Sequence, residues 1–213
     1  MCIRDRTSTE EENTEFLKTV WDKYKYLAIS AVFIVIVTIV GIERSSSNKN
    51  IFNQETSELY SDFVQSLDSV DIDSTQKGND FMSSYPDSVY SRLIALQLAK
   101  LHYEKGDKDE ATDKLNWIIE NTNNGFRQKY DPIEVTAKYR LALLFLDQEK
   151  FKESLDLLET IDDKTASIYE LIGDCYVYLE ANDNARINYL KAMEASPSES
   201  VKSIIKMKLS DIN

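Results

Sequence analysis

The sequence predicts an all-α protein: a single N-terminal transmembrane helix, then an α-solenoid of helix pairs closed by a C-terminal capping helix. Three observations predict it. From Tyr26 to Ile42 the chain runs YLAISAVFIVIVTIVGI without one charged side chain. Beyond that run, apolar residues recur at spacings of three and four, the period of a helix with one buried face. Glycine and proline are scarce, five and three in 213 residues, and Val/Ile/Thr alternation of period two is missing outside the apolar run, which leaves little from which to build a sheet.

The apolar run comes first. Its seventeen residues cover about 25 Å as a helix at 1.5 Å per residue, close to the roughly 30 Å of bilayer hydrocarbon. Trp21, Tyr24 and Tyr26 stand where amphipathic rings favour the headgroup layer, with Lys23 and Lys25 placed to snorkel. Arg6, Lys18, Lys23 and Lys25 precede the run closely, and only Arg44 and Lys49 follow it, a charge bias that puts the N-terminus in the cytoplasm. The competing reading is a cleaved signal peptide, with Ser45 and Ser47 supplying small residues at the cut. Signal peptides begin short and basic, whereas this prelude is long and carries Glu10, Glu11, Glu12 and Glu15, which favours an uncleaved anchor. The expected organisation is a short cytoplasmic segment 1–25, a transmembrane helix 26–42, a linker 43–51 and a helical domain 52–213.

The net charge of −12 lies almost wholly beyond the anchor, where 20 basic face 31 acidic side chains. Nucleic acid is excluded as a partner, since phosphate binding needs clustered Lys and Arg. Cys2 and Cys175 fall on opposite sides of the expected span and cannot pair, and Cys175 sits within an apolar helical pattern that makes it a buried thiol. The lone histidine, His102, lies at a packing position without the partners that zinc or a catalytic dyad requires. No two glycines lie within five residues of each other, so no phosphate-binding loop can form. Asp71, Asp73 and Asp80 lack the glycine and terminal glutamate of a calcium loop. The sequence thus offers no catalytic, cofactor-binding or metal-binding residues, and a redox role for Cys175 has no motif behind it.

Taken in order, the segment Phe52 to Pro86 reads as a degenerate helix pair, with Leu59, Phe63 and Leu67 on one face and Phe81 ahead of Pro86. Helical spacing follows through Leu93, Leu96, Leu98 and Leu101, through Leu141, Leu144 and Phe145, and through Tyr169, Ile172, Tyr176 and Leu179. Breaks at Lys105 to Lys108, Gln148 to Lys150 and Ala181 to Asp183 divide these stretches into hairpins. After Pro197 a last helix carries Val201, Ile204, Ile205 and Leu209 between lysines, the pattern of a cap that closes a solenoid.

Residues 168 to 197, IYELIGDCYVYLEANDNARINYLKAMEASP, resemble the tetratricopeptide repeat. Gly173 and Ala185 supply small residues at the helix crossing, Tyr176, Tyr189 and Ala192 fill and line the groove beside it, and Pro197 closes the unit. The demand behind these types is close helix approach, with aromatics filling what remains. Weaker copies carry Ala99, His102, Gly106, Ala111 and Leu115, and Ala142, Phe145, Ser154 and Leu158. Ala111 to Ser154 is 43 residues and Ser154 to Ala185 is 31, against the usual repeat of about 34, which places an insertion around Asn121 to Ile133. In such arrays the first helices line the face that receives a partner segment. That face is expected to present Leu96, Lys100 and Tyr103, then Tyr139, Leu143 and Leu146, then Glu170, Asp174 and Val177, an apolar surface with an acidic end. The alternative is that these side chains pack on the Phe52 to Pro86 helices.

The order of parts is similar to the YfgM family, ancillary subunits of the bacterial Sec translocon. The segments EFLKTVWDKYKYLAISAVFIVIV, SRLIALQLAKLHYEKGDKDEATDKL and IIKMKLSDI carry the likeness, which covers residues 10 to 213. The resemblance implies a non-enzymatic, single-pass inner-membrane protein with a periplasmic repeat domain at residues 52–213. It implies the Sec translocon and a membrane-anchored prolyl isomerase as partners, and hand-over of unfolded, newly translocated proteins to periplasmic chaperones. No catalytic residues carry over from it. A different reading is a structural scaffold that coordinates an inner-membrane, division or envelope complex, without touching unfolded clients.

Overall fold

The computed structural model describes Lys23 and residues 52–67, 73–122 and 130–212. The chain divides into two compact units, residues 1–55 and 56–213. In the first unit, Lys23 and residues 52–55 are helical and exposed. The expected transmembrane helix at 26–42 lies outside the described residues; among those described, no helix is long and apolar enough to cross a membrane.

The second unit is helical throughout its described length. Residues 56–67 form α1, followed by α2 (Asp73–Ser84), α3 (Val89–Glu104), α4 (Lys108–Glu120), α5 (Pro132–Asp147), α6 (Phe151–Glu159), α7 (Ala166–Tyr178), α8 (Asn182–Ala195) and α9 (Glu199–Asp211). From α2 onward each helix packs on the next along the chain, and α3 with α5 and α5 with α7 are also neighbours. That pattern is a stack of hairpins α3–α4, α5–α6 and α7–α8, with α9 added at the end, as the apolar spacing predicts.

Helix starts are written locally. Ser88 caps α3 by accepting from the Tyr90 amide, and Ser198 caps α9 by accepting from Val201. Asp131 caps α5, accepting from the amides of Ile133 at 2.8 Å and Glu134 at 3.3 Å. Pro132, at the first helical position, gives up an amide that would have lacked a partner there. Arg92 on α3 pairs with the Asp131 carboxylate, so the cap also ties α5 to α3.

The three hairpin turns share one design. Gly106, Glu149 and Glu180 follow the first helix of each pair with φ of 84°, 59° and 57°. In each, that residue's amide bonds back three residues (to Tyr103, Leu146 and Val177), and the next amide bonds back five (to His102, Phe145 and Tyr176, all at 2.8 Å). These paired bonds satisfy the last carbonyls of the helix in the left-handed C-terminal motif that glycine suits best. The first two breaks read from sequence coincide with these turns. The third falls at Leu179 to Ala181 rather than Ala181 to Asp183, because Asn182 and Asp183 already belong to α8.

Three apolar cores run along the stack. The first joins Phe63, Phe81, Ile94, Leu98, Ile118 and Leu141; the second Leu155, Leu158, Ile168, Leu171, Ile172 and Cys175; the third Ala185, Tyr189, Ala192 and Ile205. The small positions are buried as expected: Ala99, Ala111, Ala142, Ser154, Gly173 and Ala185. Ser154 also links three helices, since the Cys175 thiol donates to its hydroxyl at 3.4 Å and the hydroxyl donates to the Ala142 carbonyl at 2.8 Å. Two apolar residues depart from the expected faces. Leu59 is exposed, because α1 turns Thr56, Tyr60, Phe63 and Leu67 inward instead. Ile204 is 52% exposed, because α9 turns Val201, Ile205 and Leu209 into the third core instead.

Candidate functional site

α3, α5 and α7 lie side by side, which brings together the helices that carry the expected groove residues. Tyr103 and Leu143 are 48% and 40% exposed, and Lys100 is also exposed. Tyr139 and Leu146 are half-buried, packed against the second core. Leu96 is buried in the first core and offers nothing to a partner directly. The alternative, that the Phe52 to Pro86 helices cover this face, does not apply to Tyr103 or Leu143, which stay exposed.

A cavity of about 360 Å³ opens on this face, lined by Ala99, Lys100 and Tyr103 of α3, Ala111 and Leu115 of α4, and Arg140, Leu143 and Leu144 of α5. Its walls are apolar, with Lys100 and Arg140 supplying the charge. The sequence-level face included Lys100, Tyr103 and Leu143 but not Arg140 or the α4 residues. Leu115 stands in the first repeat where Tyr189 stands in the last, and there too a cavity opens, of about 280 Å³, lined among others by Asp174, Val177, Tyr189 and Lys208.

The last repeat differs. Glu170 and Asp174 were expected to form an acidic end open to a partner; instead α9 brings Lys208 against both. Lys208 lies 2.8 Å from both oxygens of Asp174 and from Oε1 of Glu170, and the Tyr189 hydroxyl donates to Asp174 at 2.7 Å. Burial alone would lower the Lys208 pKa, but the hydrogen bonds it donates to Asp174 and Glu170 outweigh burial and hold the ammonium above its ordinary value. Burial, with the neighbouring Asp174 and Glu170 charges, pushes the phenols of Tyr139 and Tyr189 upward, so both remain protonated donors. The sequence pattern missed this cluster because its members lie on different helices, far apart in the chain.

Cys175 is fully buried, and burial pushes its thiol upward, which disfavours the reactive thiolate. His102 sits at the turn of the first hairpin with its side chain 12% exposed and Nδ1 3.6 Å from Asp107. Among the described residues no group of three or more His, Cys, Asp or Glu is arranged to hold a metal ion.

The tetratricopeptide repeat-like domain model matches residues 18–213. An ancillary SecYEG translocon subunit of Neisseria gonorrhoeae is 30% identical over 132 residues, which is 61% of this chain and 60% of that protein. One of Buchnera aphidicola is 26% identical over 127 residues, 59% of this chain and 63% of that protein. The chain thus matches these relatives over less than two thirds of their length. Among solved structures, MamA from Desulfovibrio magneticus aligns with a TM-score of 0.54 at 16% identity, covering 74% of this chain and 87% of that one. A Podosopora anserina kinesin light chain with tetratricopeptide-like repeats aligns at 0.56 and 11%, covering 75% and 85%. These two share the fold. With the repeat geometry, the matched domain and the named relatives together, the chain belongs to the tetratricopeptide repeat-like domain family, and its resemblance to the YfgM family is borne out.

Proposed function

We propose that this chain is a non-enzymatic ancillary subunit of the Sec translocon, anchored by residues 26–42 with its N-terminus in the cytoplasm and its helical domain in the periplasm. There the exposed face of α3 and α5 holds a segment of a partner protein, either a translocon-associated protein or a newly exported chain on its way to a chaperone. One observation carries the reading. Lys100, Tyr103 and Leu143 stay exposed around an apolar cavity on the face where repeat arrays receive segments. The relatives named as translocon subunits supply the setting.

The test is site-specific photocrosslinking in cells, with a photoreactive residue at Tyr103, Tyr139 or Leu146. Adducts to translocon components or secreted chains are expected, and adducts from none of the three positions would end the groove reading. Protease added to intact spheroplasts should digest the helical domain. Full protection would place the domain in the cytoplasm and overturn the topology.

A further inference from the structure

Resting on the groove reading, we propose that the segment held there is bipolar and belongs to a fixed partner protein: an acidic end seats at Lys100 and Arg140, a basic end at Asp174 and Asp211, and about five uncharged residues cross α5 between them. Two cavities share α5 as a wall. The first, of about 360 Å³, has Leu143 and Leu144 on its α5 side; the second, of about 280 Å³, has Leu146 there, with Val177 of α7 and Tyr189 of α8 beyond. Leu143 and Leu146 are three residues apart on one helix, so their side chains are neighbours. An apolar stretch laid across α5 therefore meets both openings.

The charges at the two openings are opposite. Lys100 and Arg140 line the first, and both are exposed. Their engagement within the protein is weak: Lys100 lies 3.6 Å from Glu104 in an exposed i,i+4 pair, and Arg140 reaches the Leu96 carbonyl at 3.4 Å. Asp174, Lys208 and the exposed Asp211 line the second. There the Lys208 ammonium is shared between Asp174 and Glu170, so with Asp211 three carboxylates face one ammonium and the surplus is negative. Packed helix axes lie about 8–10 Å apart, so the way from α3 over α5 to α7 is about 16–20 Å. That distance takes roughly five or six residues of extended chain. A segment with one sign of charge at both ends meets repulsion at one opening, and repulsion of that kind turns wrong partners away. Exported chains differ from one another in charge pattern, so a site with a requirement at each end suits one constant partner rather than passing clients.

The test uses the full-length chain in detergent and fluorescein-labelled peptides of one length, with a spacer of five Ser and Leu residues between charged ends. Two are bipolar, with Asp-Asp and Lys-Lys at opposite ends in either order; one carries Asp-Asp at both ends and one Lys-Lys at both. Anisotropy titration is expected to show one bipolar peptide binding at least about tenfold tighter than either uniform one, and weakening as salt rises. Arg140→Glu should tighten the basic peptide about tenfold and weaken the bipolar one; Asp211→Lys should do the same in favour of the acidic peptide. Both positions are exposed, and a gain for a different peptide cannot arise from misfolding. An excess of unfolded lactalbumin with blocked cysteines should leave the bipolar peptide in place, and its displacement would overturn the fixed partner. Equal binding of bipolar and uniform peptides, or a preference that either substitution leaves unmoved, overturns the proposal. No binding of any peptide, with crosslinks still formed from Tyr103, Tyr139 or Leu146 in cells, overturns it while leaving the groove reading intact. Absence of both overturns the two together.

Discussion

Gly173 and Tyr189 meet so closely that the tyrosine ring occupies the volume a side chain at 173 would need, with a built Cβ 2.5 Å from ring carbons Cδ1 and Cε1. Alanine exceeds glycine in helix propensity by about 1 kcal/mol, yet Gly173→Ala is expected to destabilise the domain by about 1–3 kcal/mol through overpacking. Adding Tyr189→Leu, which recreates the alanine and leucine of the first repeat, should recover most of the loss. A double-mutant cycle by denaturant unfolding checks it; additive effects of the two substitutions would show that the contact does not govern this crossing.

Glu149 and Glu180 occupy left-handed backbone that costs a non-glycine residue about 1–2 kcal/mol, where the first hairpin uses Gly106. Each is exposed. Glu149→Gly and Glu180→Gly should each stabilise the fold by about 0.5–1 kcal/mol, after the extra freedom of the unfolded glycine is subtracted. Gly106→Ala should do the reverse by a similar amount. Shifts in urea midpoint at constant slope are the measurement.

Asp131 combines a helix cap with an ion pair. Burial raises its pKa, but the Arg92 guanidinium and the amides of Ile133 and Glu134 outweigh burial and hold the carboxyl below its ordinary 3.8. A depressed carboxyl contributes stability above its unfolded value and loses it as pH falls through the folded one. Asp131→Ala should therefore cost about 1–2 kcal/mol near neutrality. The gap between wild type and variant should close only as pH drops below about 3.8, which unfolding curves from pH 6 downward would follow.

Lys208 is the opposite case. Its raised pKa makes its contribution fully present below the ordinary lysine value of 10.5 and lost as pH climbs through the higher folded value. Lys208→Met should cost on the order of 1–3 kcal/mol at neutral pH, since charge-assisted bonds to Asp174 and Glu170 are removed together. Hydrogen exchange should quicken in α9 and the adjoining part of α7 before it changes in α3. Uniform quickening across the stack would contradict the local role assigned here.

Much of the fold was legible because each repeat states its rules locally. Small residues at crossings, a polar break between helices and a prolonged apolar period placed Gly173, Ala185, Ala142 and the first two turns before any coordinates were needed. The insertion between the first two repeats is also where the structure has it, between α4 and α5. What escaped was set by neighbours in space. Ile204 reads as core on a helical wheel, but α9 packs through Val201, Ile205 and Leu209 and leaves Ile204 outside. Glu170 and Asp174 read as a free acidic surface, but Lys208 comes back from a different helix to meet them. The cavity escaped likewise: its lining joins Ala111 and Leu115 of α4 to Arg140 and Leu144 of α5, which only the stacking of the helices brings together.

The apolar interior is divided into three cores rather than one, and neighbouring cores meet at a few residues such as Leu157 and Tyr176. Stiffness in a body built this way is unevenly distributed, high within each block and lower at the joints. Tyr139, Leu143 and Leu146 all ride on α5, facing Tyr103 of α3, and α5 belongs to two cores. With Leu141 in the first core and Ala142 in the second, α5 is a strut common to both blocks, so a substitution on either of its sides is felt in two cores at once.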